Sequence, residues 1–315
     1  MNKRCLICAQ KVKDNTDYHL KCTQALFGTP KVPLLAYEED ELAALAKKAV
    51  KNRVTVPGVQ AKLSLEIKEK AEKASKLTIV GLWGSFILKP PSPTWPQLPE
   101  NEHCTLMMAE CADIETVPYG LIRLKSGALS FITRRIDRTQ EGKKRAMEDM
   151  CQLTERMTED KYKGSHEHIA KVIKRCSANP LFDLVRFFDR VFFCYITGNV
   201  DMHLKNFSLF KDKEIGWKLA PAYDLLSTRL VIPESKDPDE LALTLNGKKS
   251  NFSLNTFKKF GQNIGLNTKQ IDNIFEKYES RINDFIEVVG QSFLNNNMQE
   301  NYTLLLEQRA KNLFS

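Results

Sequence analysis

Long apolar runs are absent from this chain. No stretch approaches the ~18 to 20 consecutive apolar residues that a membrane-spanning helix requires, and the opening MNKRCLICAQ lacks the apolar core of a secretory signal. The expectation is a cytoplasmic protein, or at least one folded in a reducing compartment. Cysteine is scarce as well: eight among 315 residues are too few for a disulfide scaffold. Five of them, Cys104, Cys111, Cys151, Cys176 and Cys194, are scattered through segments that otherwise read as helical, which suits small core fillers. There is no internal repeat and no basic tail. The formal charge of +8 is spread over short runs such as KAVKNR and GKKRAMED, which fits solvated faces and a phosphate-handling cleft better than a nucleic-acid surface. What is present is ordinary for a globular chain: 42% hydrophobic and 27% charged residues, and length for one large domain or two to three smaller units.

Three regions differ in texture. Residues 1–28 form a compact head in which Cys5 and Cys8, then His19 and Cys22, make C-x2-C followed ten residues later by H-x2-C. Two short-spaced pairs of soft ligands are what tetrahedral zinc needs, because each pair sits on one turn and the metal closes the loop between them. A zinc with four protein ligands is structural, since no position is left for water. Residues 29–137 read as a β-rich lobe. There, EEDELAALAKKAVKN (38–52) is an amphipathic helix with acids at its start and lysines at its end. VTVPGVQAKLSLEI (54–67), KLTIVG, SFILKP, GLIRL and ALSFITRR read as short strands of an antiparallel sheet. An acid-started helix (102–111) follows the proline-rich PPSPTWPQLPENE. Residues 138–315 read as a helical lobe, with helices predicted over 145–157, 166–176, 181–197, 254–262, 268–289 and 300–312. FSLF and GWKLA form a predicted hairpin and LALTL a predicted strand. The expected fold class is α+β, a β-rich N-terminal lobe followed by a helical C-terminal lobe.

Directly after the apolar run RVFFCYITG comes GNVDMHLKNFSLF, with an aspartate, a histidine, a lysine and an asparagine within six positions. A helix that apolar is buried, so its exit lies close to the core. Asp201 and Asn206 stand five positions apart on this loop, and the hairpin brings Asp224 alongside. This is a phosphoryl-transfer constellation: the first aspartate accepts the proton of an attacking hydroxyl, while the asparagine and the last aspartate hold magnesium against phosphates. The D-x4-N spacing is that of the protein-kinase catalytic loop, with His203 where those kinases carry a lysine. Lys89, at the end of FILKP, is suited to reach the α- and β-phosphates, and Glu102 on the following helix to orient it. The turn in TVPGVQAKLSL is placed to lie over the phosphates, although Gly58 is its one glycine and it is no G-x-G-x-x-G loop. Taken singly, Lys89 reads more readily as a surface lysine, while Asp224 also reads as a turn cap and the Asp201 loop as an ordinary polar connection. Taken together, they arrive in kinase order.

These segments resemble the HipA-like serine/threonine kinases of bacterial toxin–antitoxin systems. The likeness runs through PGVQAKLSL, FILKP, ENEHCTLMMAE, RRIDR, EDMCQL, GNVDMHLKNFSLF and LAPAYDLLS, over residues 54–228, and is strongest to the short HipT-like members that lack the N-terminal subdomain of full-length HipA. The resemblance implies a two-lobed, protein-kinase-like HipA fold. It implies Asp201 as catalytic base with His203 beside it, Asn206 and Asp224 as magnesium ligands, and Lys89 with Glu102 at the ATP phosphates. Gly58, Val59 and Gln60 would form the phosphate loop, Arg134, Arg135 and Ile136 an interlobe hinge beside adenine, and Gln152 a nucleotide contact. Thr55 stands in the loop whose serine is autophosphorylated in relatives; Pro57 there cannot accept phosphate. The implied cofactors are ATP and Mg2+. The implied substrate is a protein, with aminoacyl-tRNA synthetases as the known family targets, phosphorylated so that translation arrests. A HipS-like small antitoxin and a HipB-like DNA-binding protein are the implied partners. Two other readings stay open, a small-molecule or lipid kinase and a zinc-headed, nucleic-acid-binding pseudokinase. The leading reading involves neither a membrane nor direct contact with nucleic acid.

Overall fold

A computed structural model of the chain describes residues 3–13, 16–50, 62–70, 73–80, 84–139 and 142–314. Its contacts group into two units whose pieces interleave along the sequence. Unit 1 comprises Met1–Cys104, Val117–Lys144 and Gln291–Leu294; unit 2 comprises Thr105–Thr116, Arg145–Gly290 and Asn295–Ser315.

Unit 1 begins with α1 (Leu20–Phe27), which ends on Gly28 at φ 73°, a left-handed cap that only glycine adopts without strain. Helix α2 (Glu39–Val50) opens with Glu39, Asp40 and Glu41, where the helix dipole favours acids. Strands β1 (Leu63–Lys70), β2 (Lys73–Ile79), β3 (Phe86–Lys89), β4 (Tyr119–Arg123) and β5 (Leu129–Arg134) form one antiparallel sheet in the order β2-β1-β3-β5-β4. The strand expected over 54–67 is seen from Leu63 onward, the residues before Lys62 lying outside those described. Helix α3 (Leu98–Cys111) starts at Leu98 rather than at residue 102, with Pro99 in its first turn, where a missing N–H costs nothing. Strand alternation sends Leu63, Leu65, Phe86, Leu88, Ile122 and Ile132 to one face, where they join Leu26, Phe27 and Leu77 in a largely aliphatic core.

Unit 2 departs from expectation at its start. The 145–157 segment is no single helix: Met147–Asp149 is strand β6 and Met150–Leu153 a one-turn helix, α4. Asp149 and Gln152 close a reciprocal capping box around α4, and Glu155, at φ 54°, lies just past its end. Helix α5 (His166–Cys176) begins on a Ser165 cap. Helix α6 (Pro180–Ile196) has proline in its first turn and buries both Phe187 and Phe188 and the whole run from Arg190 to Ile196. Strands β7 (Ser208–Asp212) and β8 (Gly216–Leu219) form the predicted hairpin, and β6 adds to it in the order β6-β7-β8. LALTL, expected as a strand, makes isolated bridges instead, Thr244 to Ser165 and Leu245 to Lys248. Helices α7 (Leu254–Asn263), α8 (Thr268–Gln291) and α9 (Asn296–Phe314) follow. The core here is aromatic: Phe192 of α6 lies 4.8 Å from Phe257 and 5.1 Å from both Phe275 and Tyr278, mostly edge to face. The whole is α+β, and no described helix is long and apolar enough to cross a membrane.

Candidate active site

In unit 1, Lys89 closes β3 opposite Phe131 of β5, on the sheet face away from the aliphatic core. Its Nζ lies 5.3 Å from the Phe131 ring centroid and 2.5 Å from Glu102 Oε1 on α3. Both side chains are sealed, at 2% and 1% exposure. A lone ammonium that deeply buried would be neutralised or expelled; a carboxylate at hydrogen-bond distance keeps it charged. Arg134 ends β5, with its N–H on the Pro118 carbonyl. Arg135 forks onto Asp137 at 2.8 and 2.7 Å, and Arg138 reaches the same carboxylate at 2.7 Å. Burial alone would raise the Asp137 carboxyl, but the two guanidinium groups hold it below its ordinary value. Ile136 sits half-buried in the turn between them. Thr55, Gly58, Val59 and Gln60 lie outside the described residues. The four head side chains Cys5, Cys8, His19 and Cys22 converge, with all donor atoms within 4.8 Å of one another.

In unit 2, the exit of α6 is held by hydrogen bonds to its backbone, most of them from side chains. Gly198 turns at φ 66°, and a Cβ there would come within 2.7 Å of Leu305 Cδ2 and 2.9 Å of Arg229 Cγ, so glycine is required on two counts. Thr228 Oγ1 accepts the Val200 N–H at 2.8 Å and donates to the Gly198 carbonyl at 3.1 Å. Asn199 Oδ1 accepts the Asp201 N–H at 3.1 Å. The Asp201 carbonyl then accepts from His203 N at 2.8 Å and from Asn206 Nδ2 at 2.9 Å. That last bond engages the donor end of the Asn206 amide on the loop; its other end, Oδ1, is a hard oxygen of the kind magnesium takes. Asp224 follows the hairpin in the left-handed region, at φ 54°, a strained conformation for an aspartate and a common mark of a functional turn. Tyr223 ties its loop to the first one: Ser208 Oγ lies 2.5 Å from the Tyr223 hydroxyl, which donates to the Lys205 carbonyl at 3.1 Å. Fully buried Arg190 donates to the Ala220 carbonyl at 2.7 Å, anchoring the approach to Asp224 on α6. Unit 2 thus brings Asp201, His203 and Asn206 onto one tight loop with the Asp224 turn tethered to it. Gln152 lies beyond Lys205, which pairs with the Gln152 capping partner Asp149 at 2.7 Å.

One residue escaped the sequence reading. The Tyr162 hydroxyl donates to Asp201 Oδ1 at 2.5 Å, and its ring stands edge to face with His203 at 5.0 Å. Partial burial and the Asp201 charge push the phenol above its ordinary range. Tyr162 lies in the loop YKGS, 39 positions from Asp201, and no spacing rule connects them.

The chain is similar to several known proteins. A protein of Haemophilus influenzae assigned as a kinase is 30% identical over 266 residues, covering 76% of this chain and 75% of that protein. A second, from Sinorhizobium fredii and likewise assigned, is 32% identical over 225 residues, 67% of this chain and 53% of its own length. Among solved structures, HipA of the Shewanella oneidensis toxin–antitoxin system, determined with HipB and operator DNA, superposes with a TM-score of 0.68 at 19% identity, over 90% of this chain and 72% of that one. The Helicobacter pylori proinflammatory kinase CtkA gives 0.52 at 15% identity, over 72% and 86%. Those two likenesses carry the fold, which is that of the HipA-like kinases. Residues 54–286 match the HipA-like C-terminal domain family, and with the coverage of the Haemophilus relative this places the chain: it belongs to that family.

Proposed function

We propose that the chain is an ATP- and magnesium-dependent serine/threonine protein kinase acting as the toxin of a toxin–antitoxin pair. The observation that carries this is the Asp201 loop, where the carbonyl of the acid is clamped by Asn206 Nδ2 while its carboxylate stays half-buried and meets a hydroxyl. Asn206 Oδ1 and the Asp224 carboxylate would hold Mg2+, which suits two oxygen donors from protein with the rest from phosphate and water. Bound there, the metal would neutralise charge on the transferring phosphate. Lys89, kept charged by Glu102, would bind the ATP phosphates. Asp201 accepts the proton of an acceptor hydroxyl as its oxygen bonds to the γ-phosphorus and the bond to the β-phosphate oxygen breaks, releasing ADP. Arg134, Arg135, Ile136 and Gln152 would line the adenine side. Gly58, Val59 and Gln60 would cover the phosphates, with Thr55 as the autophosphorylation site. The acceptor would be a protein, an aminoacyl-tRNA synthetase by family likeness. A HipB-like DNA-binding protein and a HipS-like antitoxin are the proposed partners, in line with the complex in which the Shewanella neighbour was determined.

The test is phosphoryl transfer from labelled ATP with Mg2+, beside an Asp201→Asn variant. Transfer should fall by about a thousandfold or more in the variant while nucleotide binding by calorimetry is retained, because the base is removed and the loop's shape is kept. Wild-type activity in the variant would overturn the assignment. Absence of ATP binding in the wild type would favour the pseudokinase reading, and label on small molecules alone the small-molecule kinase.

A further inference from the structure

We infer that Cys5, Cys8, His19 and Cys22 form a structural zinc(II) site, and that this site fixes the start of α3, the helix that carries Glu102. Cys8 Sγ lies 3.3 Å and Cys22 Sγ 3.9 Å from His19 Nδ1, and Cys5 Sγ accepts the His19 main-chain N–H at 3.4 Å. A zinc tetrahedron with bonds of about 2.3 Å to sulfur and about 2.0 Å to nitrogen has edges of roughly 3.5 to 3.8 Å, so the donors stand close to ligand positions. All eight cysteines are free thiols. His19 Nε2 lies 3.0 Å from the Lys11 carbonyl, so it carries the proton and Nδ1 offers its lone pair to the centre of the sulfurs. Three sulfurs and one imidazole nitrogen, with no carboxylate among them, select zinc over magnesium or calcium.

The two residues between Cys5 and Cys8 are the ones that dock. The Leu6 carbonyl accepts the Leu121 N–H of β4 at 2.7 Å, and the Ile7 carbonyl accepts from His103 Nε2 of α3 at 2.8 Å. Gly120 of β4 makes room, since a Cβ there would stand 2.7 Å from Ile7 Cγ1. His103 is fully buried and adjoins Glu102 in sequence. The knuckle 5–8 therefore supplies, through the Ile7 carbonyl, a hydrogen-bond partner for the buried imidazole of His103 on α3, and the metal is what gives so short a loop a fixed shape. Ala9, directly after Cys8, turns at φ 55° and returns its N–H to the Cys5 carbonyl at 2.8 Å, closing the knuckle.

The experiment uses the full chain purified from zinc-supplemented cells. Elemental analysis should find about one zinc per chain, Cys8→Ser or Cys22→Ser should lose most of it, and cobalt(II) in its place should show thiolate charge-transfer and tetrahedral d–d bands. On chelation, amide hydrogen exchange over 98–104 and 119–123 should speed by about tenfold or more while 180–196 is unchanged. A metal-free chain with three reactive head thiols, a Cys5–Cys8 disulfide on peptide mapping, or iron as the bound metal would each overturn the zinc assignment. Unchanged exchange on zinc loss would overturn the positioning role. Should the serine variants fail to fold, the cobalt spectrum of the wild-type chain decides the ligand set.

Discussion

In unit 1 the charged pair Lys89–Glu102 is sealed at 2% and 1% exposure, charge against charge. In unit 2 Asp201 stays half-buried, and what holds it is its backbone: Asn199 takes its N–H while His203 and Asn206 take its carbonyl. The cores differ too, largely aliphatic on the sheet face opposite Lys89 and aromatic beneath the second loop. The group proposed to present its charge to a polyanion is matched by a fixed counter-charge. The group proposed to exchange a proton is held mainly through its backbone, with the Tyr162 phenol on its carboxylate.

The largest effect that could break this contrast is Glu102→Gln. It leaves an uncompensated ammonium in a sealed site and should cost about 3 to 5 kcal/mol of stability by denaturant titration. Lys89→Met with Glu102→Leu should recover most of that loss while ATP binding stays abolished; a double variant as unstable as the single one would show that the pair is not what seals the site. Next comes acid. His166 is enclosed by Phe187, Phe207 and Phe260, and burial pushes its imidazole down to about 3, so the folded chain keeps it neutral where the unfolded chain is protonated. Its contribution is intact above the unfolded value of about 6.5 and is lost as pH falls toward 3, by about 1.4 kcal/mol per pH unit. Denaturant midpoints of His166→Phe should therefore fall less steeply between pH 6 and 4 than those of the wild type. Thr228→Val removes the hydroxyl shared by Val200 and Gly198 and should cost about 1 to 2 kcal/mol, with a drop in turnover, since the loop is held by such bonds. Tyr162→Phe is the smallest: freeing Asp201 from its phenol should raise turnover by up to about tenfold with stability unchanged, and a loss of turnover would mean the phenol helps position the acid.

Much of this was legible because the signals were local. The helix read over 166–176 matches α5 to the residue, and D-x4-N after an apolar helix located the loop. Lys89 and Glu102 were readable as partners from the strand-to-helix order, although their burial was not. The misses are places where distant residues decide. AMEDMCQLTERM has good helix formers throughout, yet Met147–Asp149 is claimed by the edge of β7, and a strand partner 60 positions away leaves no mark on the local pattern. LALTL alternates like a strand but, among the described residues, pairs only through single bridges. Tyr162 sits in a polar loop with no periodicity, and its meeting with Asp201 is a product of tertiary structure alone.

The capping box of α4 fixes more than a helix end. Gln152 Oε1 accepts the Asp149 N–H at 2.9 Å, and the Gln152 N–H returns to Asp149 Oδ1 at 2.9 Å, while Asp149 Oδ2 is engaged by Lys205. With Oε1 engaged by the Asp149 N–H, the NH2 group of this exposed side chain is left to meet an acceptor. Where Gln152 meets a nucleotide base, as proposed above, that NH2 group would favour a ring edge that offers a lone pair over one that offers a hydrogen.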